Sequence, residues 1–148
     1  MKHLIKGRRL NRSPTHREAL KRNLAAQLFA HERIITTVAK AKELRPFAER
    51  LITIARKAPA QGDESGKVAS LAVRRRLIQA LGGKKFVEVK NERINVIDKL
   101  INDIGPRFRV RPGGYTRIIK RAQRRLGDAG ETAFIEMLPA HEGTGDKA

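Results

Sequence analysis

At 148 residues, with 40% apolar and 32% charged side chains, the chain suits one domain with a modest core. Cysteine is absent, which excludes disulfides, thiolate zinc sites and thiol catalysis, and no apolar run reaches the length of a membrane span. A formal charge of +18 calls for a polyanionic partner, and five Phe, one Tyr and no Trp leave few base-stacking platforms, so phosphate and shape recognition are expected.

The charge is gathered near the two ends. Met1 to Arg22 holds eight cations (Lys2, Lys6, Arg8, Arg9, Arg12, Arg17, Lys21, Arg22) against the single acid Glu18. Gly105 to Arg125 holds eight more (Arg107, Arg109, Arg111, Arg117, Lys120, Arg121, Arg124, Arg125) and no acid. Such self-repulsion adds nothing to folding, so both segments read as binding surface.

The first dozen residues lack periodicity and read as an arm that orders on its partner. The opening MKHLIKGRRLNR is basic but has no apolar h-region, so it does not read as a secretory signal. Ser13-Pro14 looks like an N-cap followed by proline at the first helical position, and Leu20, Leu24 and Leu28 recur at helical spacing. The β-branched run Arg33 to Val38 predicts a short buried strand. A second helix is predicted over Ala39 to Lys57, with Pro46 kinking it or marking its effective start. Ala58 to Gly66 reads as a surface loop, and a third helix follows from about Lys67 to Leu81, stopped by Gly82-Gly83. Beyond a Lys84-Lys85 loop, Ile94, Ile97, Ile101 and Ile104 mark a fourth helix that ends at Gly105-Pro106.

Tyr115 to Lys120 and Thr132 to Leu138 read as strands of a hairpin joined through Gly127 to Gly130. The expected fold is therefore an α+β domain in the order helix-strand-helix-helix-helix-strand-strand, a three-stranded sheet covered by helices on one face, with a basic N-terminal arm. Residues 1–12 form the arm, 13–138 the domain, and 139–148 a disordered tail. Phe47, Leu51, Ile52, Ile97, Ile101, Ile119 and Ile135 are expected in one core.

The segment Gly105 to Gly114 is the sharpest local feature. If extended, it sets Arg107, Arg109 and Arg111 in a row on one side, each able to grip phosphate bidentately, with Phe108 and Val110 turned to the core. Arg8, Arg9, Arg12, Arg17, Lys21 and Arg22 continue a basic face across the arm-to-helix junction, with Asn11 and Asn23 as candidate base or ribose contacts. His3 and His16, inside that segment, are read as RNA contacts and His31 as a helix-end residue. The triplet Arg74 to Arg76 must point around much of a helix, giving one binding face and a solvated flank.

Catalytic patterns fail. The second histidine of a zincin motif would fall at Ile35, the four histidines lack metal-ligand spacing, and neither glycine pair matches a P-loop or dinucleotide fingerprint. No cofactor, membrane or small-molecule substrate is expected.

The stretches GRRLNRSPTHREALKRN from Gly7, HERIITTVAKAKELRP from His31 and GGYTRIIK from Gly113, followed by GDAG at Gly127, resemble the bacterial-type large-subunit ribosomal protein L-seventeen family. The resemblance runs from Met1 to about Leu138 in the family's own order. It implies a two-layer α/β domain with three strands, bound to large-subunit ribosomal RNA near the rim of the peptide exit tunnel, with neighbouring ribosomal proteins as further partners and a structural role in assembly. By motif, Gly7, Arg8, Arg9, Asn11, Arg12, His16, Arg17, Arg22 and Asn23 correspond to the family's RNA-facing segment. Leu4 and Ile5 depart from its more basic leader.

The expected RNA-binding set is Lys2, His3, Lys6, Arg8, Arg9, Asn11, Arg12, His16, Arg17, Lys21, Arg22, Asn23, Arg107, Arg109, Arg111, Arg117, Lys120 and Arg121. The expected function is that of a non-enzymatic constituent of the cytoplasmic large ribosomal subunit. The rival readings are a nucleic-acid-processing enzyme, which needs clustered carboxylates, and a DNA-binding regulator, which needs a helix-turn-helix pair.

Overall fold

The computed structural model describes residues 7–59 and 64–139. In chain order these form α1 (Pro14–His31), β1 (Arg33–Thr37), α2 (Val38–Ala55), α3 (Glu64–Leu81), β2 (Phe86–Val89) and β3 (Glu92–Asn95). A composite helix follows, made of α4 (Val96–Lys99), a π-helical turn (Leu100–Ile104) and α5 (Gly105–Arg107), and then β4 (Thr116–Lys120) and β5 (Thr132–Met137). The order agrees with the α+β expectation, with one added hairpin.

The main sheet is antiparallel in the order β1-β5-β4. In register, Ile34 and Ile118 flank Ile135, while Ile35 and Ile119 flank Phe134. Alternation therefore puts Ala133, Ile135 and Met137 on one face and Phe134 and Glu136 on the other. Helices α1 and α2 pack on the first face and bury Ile135 completely. The strand predicted as buried is instead an edge: Ile34 is half-buried and Ile35 is 55% exposed. Ile119, expected in the core, is 40% exposed because it shares the uncovered face with Ile35. Leu51, Ile52, Ile97, Ile101 and Ile135 are buried together as expected, and Phe47 packs half-buried against them.

Local signals explain the helix ends. Ser13 caps α1, its Oγ accepting from His16 N–H at 3.4 Å. Helix α2 begins at Val38 and runs through Pro46, so the proline is not its start. Its ring lies on the exposed side, where water can take the place of the backbone bond it removes. Helix α3 starts at Glu64, inside the segment read as loop, and residues 60–63 of that loop lie outside the described residues. At its far end Gly82 and Gly83 take φ of 72° and 123°, and their N–H groups donate to Gln79 and Ile78 carbonyls at 3.2 and 2.9 Å, a Schellman cap.

The β2–β3 hairpin occupies the segment read as loop and first turn of the fourth helix. Lys90 and Asn91 both hold positive φ, 50° and 68°, which makes a two-residue type I′ turn. Asn95 Oδ1 then accepts from Ile97 N–H at 3.1 Å and starts α4. The helix does not stop at Gly105-Pro106. Gly105 N–H reaches back to Leu100 O in the π turn, and the helix continues to Arg107.

Candidate nucleic-acid interface

Three of the expected contact residues, Lys2, His3 and Lys6, lie outside the described residues, as does the segment after Pro139. From Gly7 the arm doubles back on itself. Leu10 and Asn11 take φ of 52° and 50°, and Arg12 N–H donates to Arg9 O at 3.1 Å. Arg8 N–H donates to Glu43 Oε2 at 2.8 Å, which ties the arm's backbone to α2 while the Arg8 and Arg9 side chains stay exposed. Arg12 touches the His16 imidazole one turn along. Arg8, Arg9, Arg12 and Arg17 form no ion pair among the described residues.

The rest of this segment is used within the fold. Lys21 sits 3.9 Å from Glu43 and 5.8 Å from the centre of the Phe47 ring. Arg22 pairs with Glu18 at 2.7 Å and donates from Nε to Ala80 O at 3.2 Å, joining α1 to α3. Asn23 Oδ1 accepts from Lys85 Nζ at 3.3 Å.

The extended arginine row does not form. Arg107 belongs to α5, Phe108 is fully buried against Tyr115 with ring centres 5.2 Å apart, and Val110 is 92% exposed instead of facing the core. Arg107 pairs with Glu32 at 2.7 Å and with Asp103, one helical turn before it, at 3.0 Å. The row lacks acids within its own segment but meets them in space, because helical spacing and the α1–β1 corner bring them in. Burial opposes charge here, yet the hydrogen bond from Arg107, reinforced by Lys99 at 3.0 Å, pulls Glu32 down to about 2. Arg109 donates to Ala58 O at 2.8 Å and Arg111 to Gly113 O at 3.1 Å.

Arg117 lies on the open sheet face, where Glu136 is held between it and Arg33. Lys120 stands 3.6 Å from Glu131, and both are exposed, so that pair is weak. Arg121 stacks 5.2 Å from the Phe134 ring and reaches Gln123 Oε1 at 2.6 Å. Arg125 pairs with Asp128, whose carboxyl is held well below the ordinary range by that arginine and by Gly130 N–H.

Folding joins the two charged segments. Arg8 of the arm, Val38 and Lys42 of α2 and Arg125 of the β4–β5 loop line one depression of about 420 Å³, which Asp128 and Glu131 line as well. Lys42 and its neighbour Lys40 were missed from sequence, although the absence of acid in the first turn of α2 was a visible sign. In the triplet on α3, Arg74 pairs with Asp98 while Arg75 and Arg76 face solvent.

A family model described as Ribosomal protein L17 matches residues 20–138. The chain belongs to the ribosomal protein L17 family. Among its relatives, a Rickettsia canadensis protein is 46% identical over 138 residues, which cover 93% of this chain and 85% of the relative. A Thermus thermophilus protein is 44% identical over 138 residues, 93% of this chain and 99% of its own. Both carry the name Large ribosomal subunit protein bL17. The L17 family consists of structural ribosomal proteins, not enzymes. Its model begins at Leu20, inside α1, so the L17 match leaves the arm to be judged on its own geometry.

Proposed function

We propose that this chain is a structural constituent of the large ribosomal subunit, cytoplasmic in bacteria, which clamps large-subunit ribosomal RNA between its arm and the basic surface at the start of α2. The observation that carries this reading is that Arg8, Lys42 and Arg125, from segments far apart in sequence, line one depression, where Arg125 carries Asp128 as its partner while Arg8 and Lys42 form no ion pair among the described residues. Arg8, Arg9, Arg12 and Arg17, unpaired among the described residues, supply charge that folding has not used. Two sources of cations held at a set spacing favour folded RNA, whose phosphates approach one another in three dimensions, over a uniform duplex.

The arm, residues 1–12, binds RNA, its residues 7–12 already tied to α2 through Arg8 and Glu43, and residues 13–138 form the domain that carries it. Lys2, His3, Lys6, Asn11, His16, Arg109, Arg111, Arg117, Lys120 and Arg121 add contacts to phosphate or ribose. Neighbouring ribosomal proteins near the exit-tunnel rim meet exposed apolar residues such as Leu71 and Val110, 50% and 92% exposed.

Binding isotherms over a salt series test the clamp, with a structured large-subunit RNA fragment and a random DNA duplex as ligands. Each lost phosphate contact flattens the slope of log affinity against log salt by about 0.7 to 0.9. Arm truncation and Lys42→Gln are expected to reduce the slope additively on RNA. Unaltered slopes, or equal affinity for random DNA, would overturn the clamp.

A further inference from the structure

Beside the junction of arm and α2 lies a second depression of about 670 Å³, between the uncovered face of the sheet and the β4–β5 loop. Ile35, 55% exposed, and Leu126, 95% exposed, give it apolar walls, while Lys40, Arg121 and Arg124 stand around it. No carboxylate lines it, although Arg125 at its edge keeps its own partner Asp128.

The loop wall is held in place before any ligand arrives. Thr132 Oγ1 donates to Gln123 O at 2.6 Å, Arg121 N–H to Thr132 O at 2.9 Å, and Arg125 N–H to Gly130 O at 3.0 Å. The Gln123 side chain, already accepting from Arg121, keeps an amide NH2 to offer a base edge.

We propose that this depression holds a single unstacked nucleotide of the ribosomal RNA. The base lies between Ile35 and Leu126, and its flanking phosphates are met by Lys40, Arg121 and Arg124. Two exposed apolar side chains in a depression whose charged lining residues are all cations suit a flat heterocycle on a phosphodiester chain, and splayed bases are the usual means by which proteins read RNA sequence. An acidic protein segment would satisfy the cations but leave Ile35 and Leu126 without a flat apolar group. The inference rests on the RNA reading above and adds a base contact to a surface otherwise made for phosphates.

The test uses the full chain assembled into large-subunit particles, comparing wild type with Ile35→Ser/Leu126→Ser, two exposed positions whose change spares the core. Hydroxyl-radical footprinting reports backbone contacts, and base-specific chemical probing reports exposed nucleobases. Expected is an unchanged backbone footprint, with one or two unpaired bases shielded by wild type gaining on the order of tenfold reactivity in the variant. Arg124→Gln is expected to expose the same bases. Identical base reactivity with the backbone footprint intact overturns the nucleotide site and leaves the RNA clamp standing. Loss of a neighbouring protein from the variant particle, with base reactivity unchanged, overturns it in favour of a protein partner. If wild type leaves no backbone footprint at all, the clamp and the nucleotide site fall together.

Discussion

Arg107 closes on Glu32 with both terminal nitrogens, Nη1 to Oε2 at 2.7 Å and Nη2 to Oε1 at 3.1 Å, across 75 residues of sequence. Glu32 is itself the left-handed cap of α1, with φ of 60°, and its carbonyl accepts from Met137 N–H at 2.9 Å. One residue thus ends a helix, joins the central strand and anchors the last turn of the composite helix through its carboxylate. The arginine that read as a phosphate ligand is a joint of the fold.

Glu32 carries a pH prediction. Its carboxyl falls from an ordinary 4.5 to about 2 in the folded protein, first through the hydrogen bond from Arg107. A depressed folded value means stabilisation that is complete above about pH 4.5 and lost as pH falls toward 2. The side chain is about a third exposed, so solvent screening reduces the contribution to about 1 to 2 kcal/mol. Urea midpoints for wild type and Glu32→Gln are expected to differ at pH 6 and converge toward pH 2. A difference constant across that range would sink this role.

Arg107 and Arg9 are expected to behave oppositely. Arg107→Gln lowers the unfolding midpoint and leaves the salt slope of RNA binding nearly intact, since its guanidinium is already spent on Glu32 and Asp103. Arg9→Gln, at an exposed position unpaired among the described residues, leaves the midpoint alone and flattens the slope by about 0.7 to 0.9. Thermal melts and salt-series isotherms on both variants separate the two.

Leu51→Ala is expected to cost about 2 to 5 kcal/mol, because the side chain is 1% exposed in the middle of the core. Ile119→Ala, at 40% exposure on the open sheet face, is expected to cost under about 1 kcal/mol. Equal losses in denaturant titration would mean that the outer face is covered in the free protein.

Gly105 is buried where the composite helix crosses α2. A Cβ there would lie 3.0 Å from the backbone oxygens of Ala55 and Leu100, neither of which can rotate away. Gly105→Ala is expected to destabilise by about 1 to 3 kcal/mol through this overpacking, read as a lowered midpoint. Gly113→Ala, whose Cβ meets nothing within 4 Å, is the control.

Short-range chemistry was readable along the chain. Ser13-Pro14 capped α1, Gly82-Gly83 stopped α3, and the two β-branched runs near the C-terminus paired as β4 and β5, each from interactions spanning a few residues. The hairpin of β2 and β3 escaped notice because its turn uses Lys90-Asn91 in place of a glycine pair. Such a turn tolerates lysine at positive φ only because the flanking strands impose it. Gly105 read as a stop, since a helix commonly ends at glycine. Here it serves close packing against Ala55, a contact no local pattern announces.

What the sequence determined by itself was the sign, amount and segmental position of the charge, the α+β class and the family, because these depend on composition and on neighbours along the chain. Which cations remain available was decided only by tertiary structure. Glu32, Glu43, Glu49 and Glu136 are scattered in sequence, yet folding lays all four against arginines or lysines, Glu49 accepting from Thr116 as well. Coulomb attraction acts through space and not along the chain, so an acid-free segment can be neutralised by a distant glutamate. The same folding brought Arg8, Lys42 and Arg125 to one depression, where Asp128 offsets Arg125 while Arg8 and Lys42 form no ion pair among the described residues.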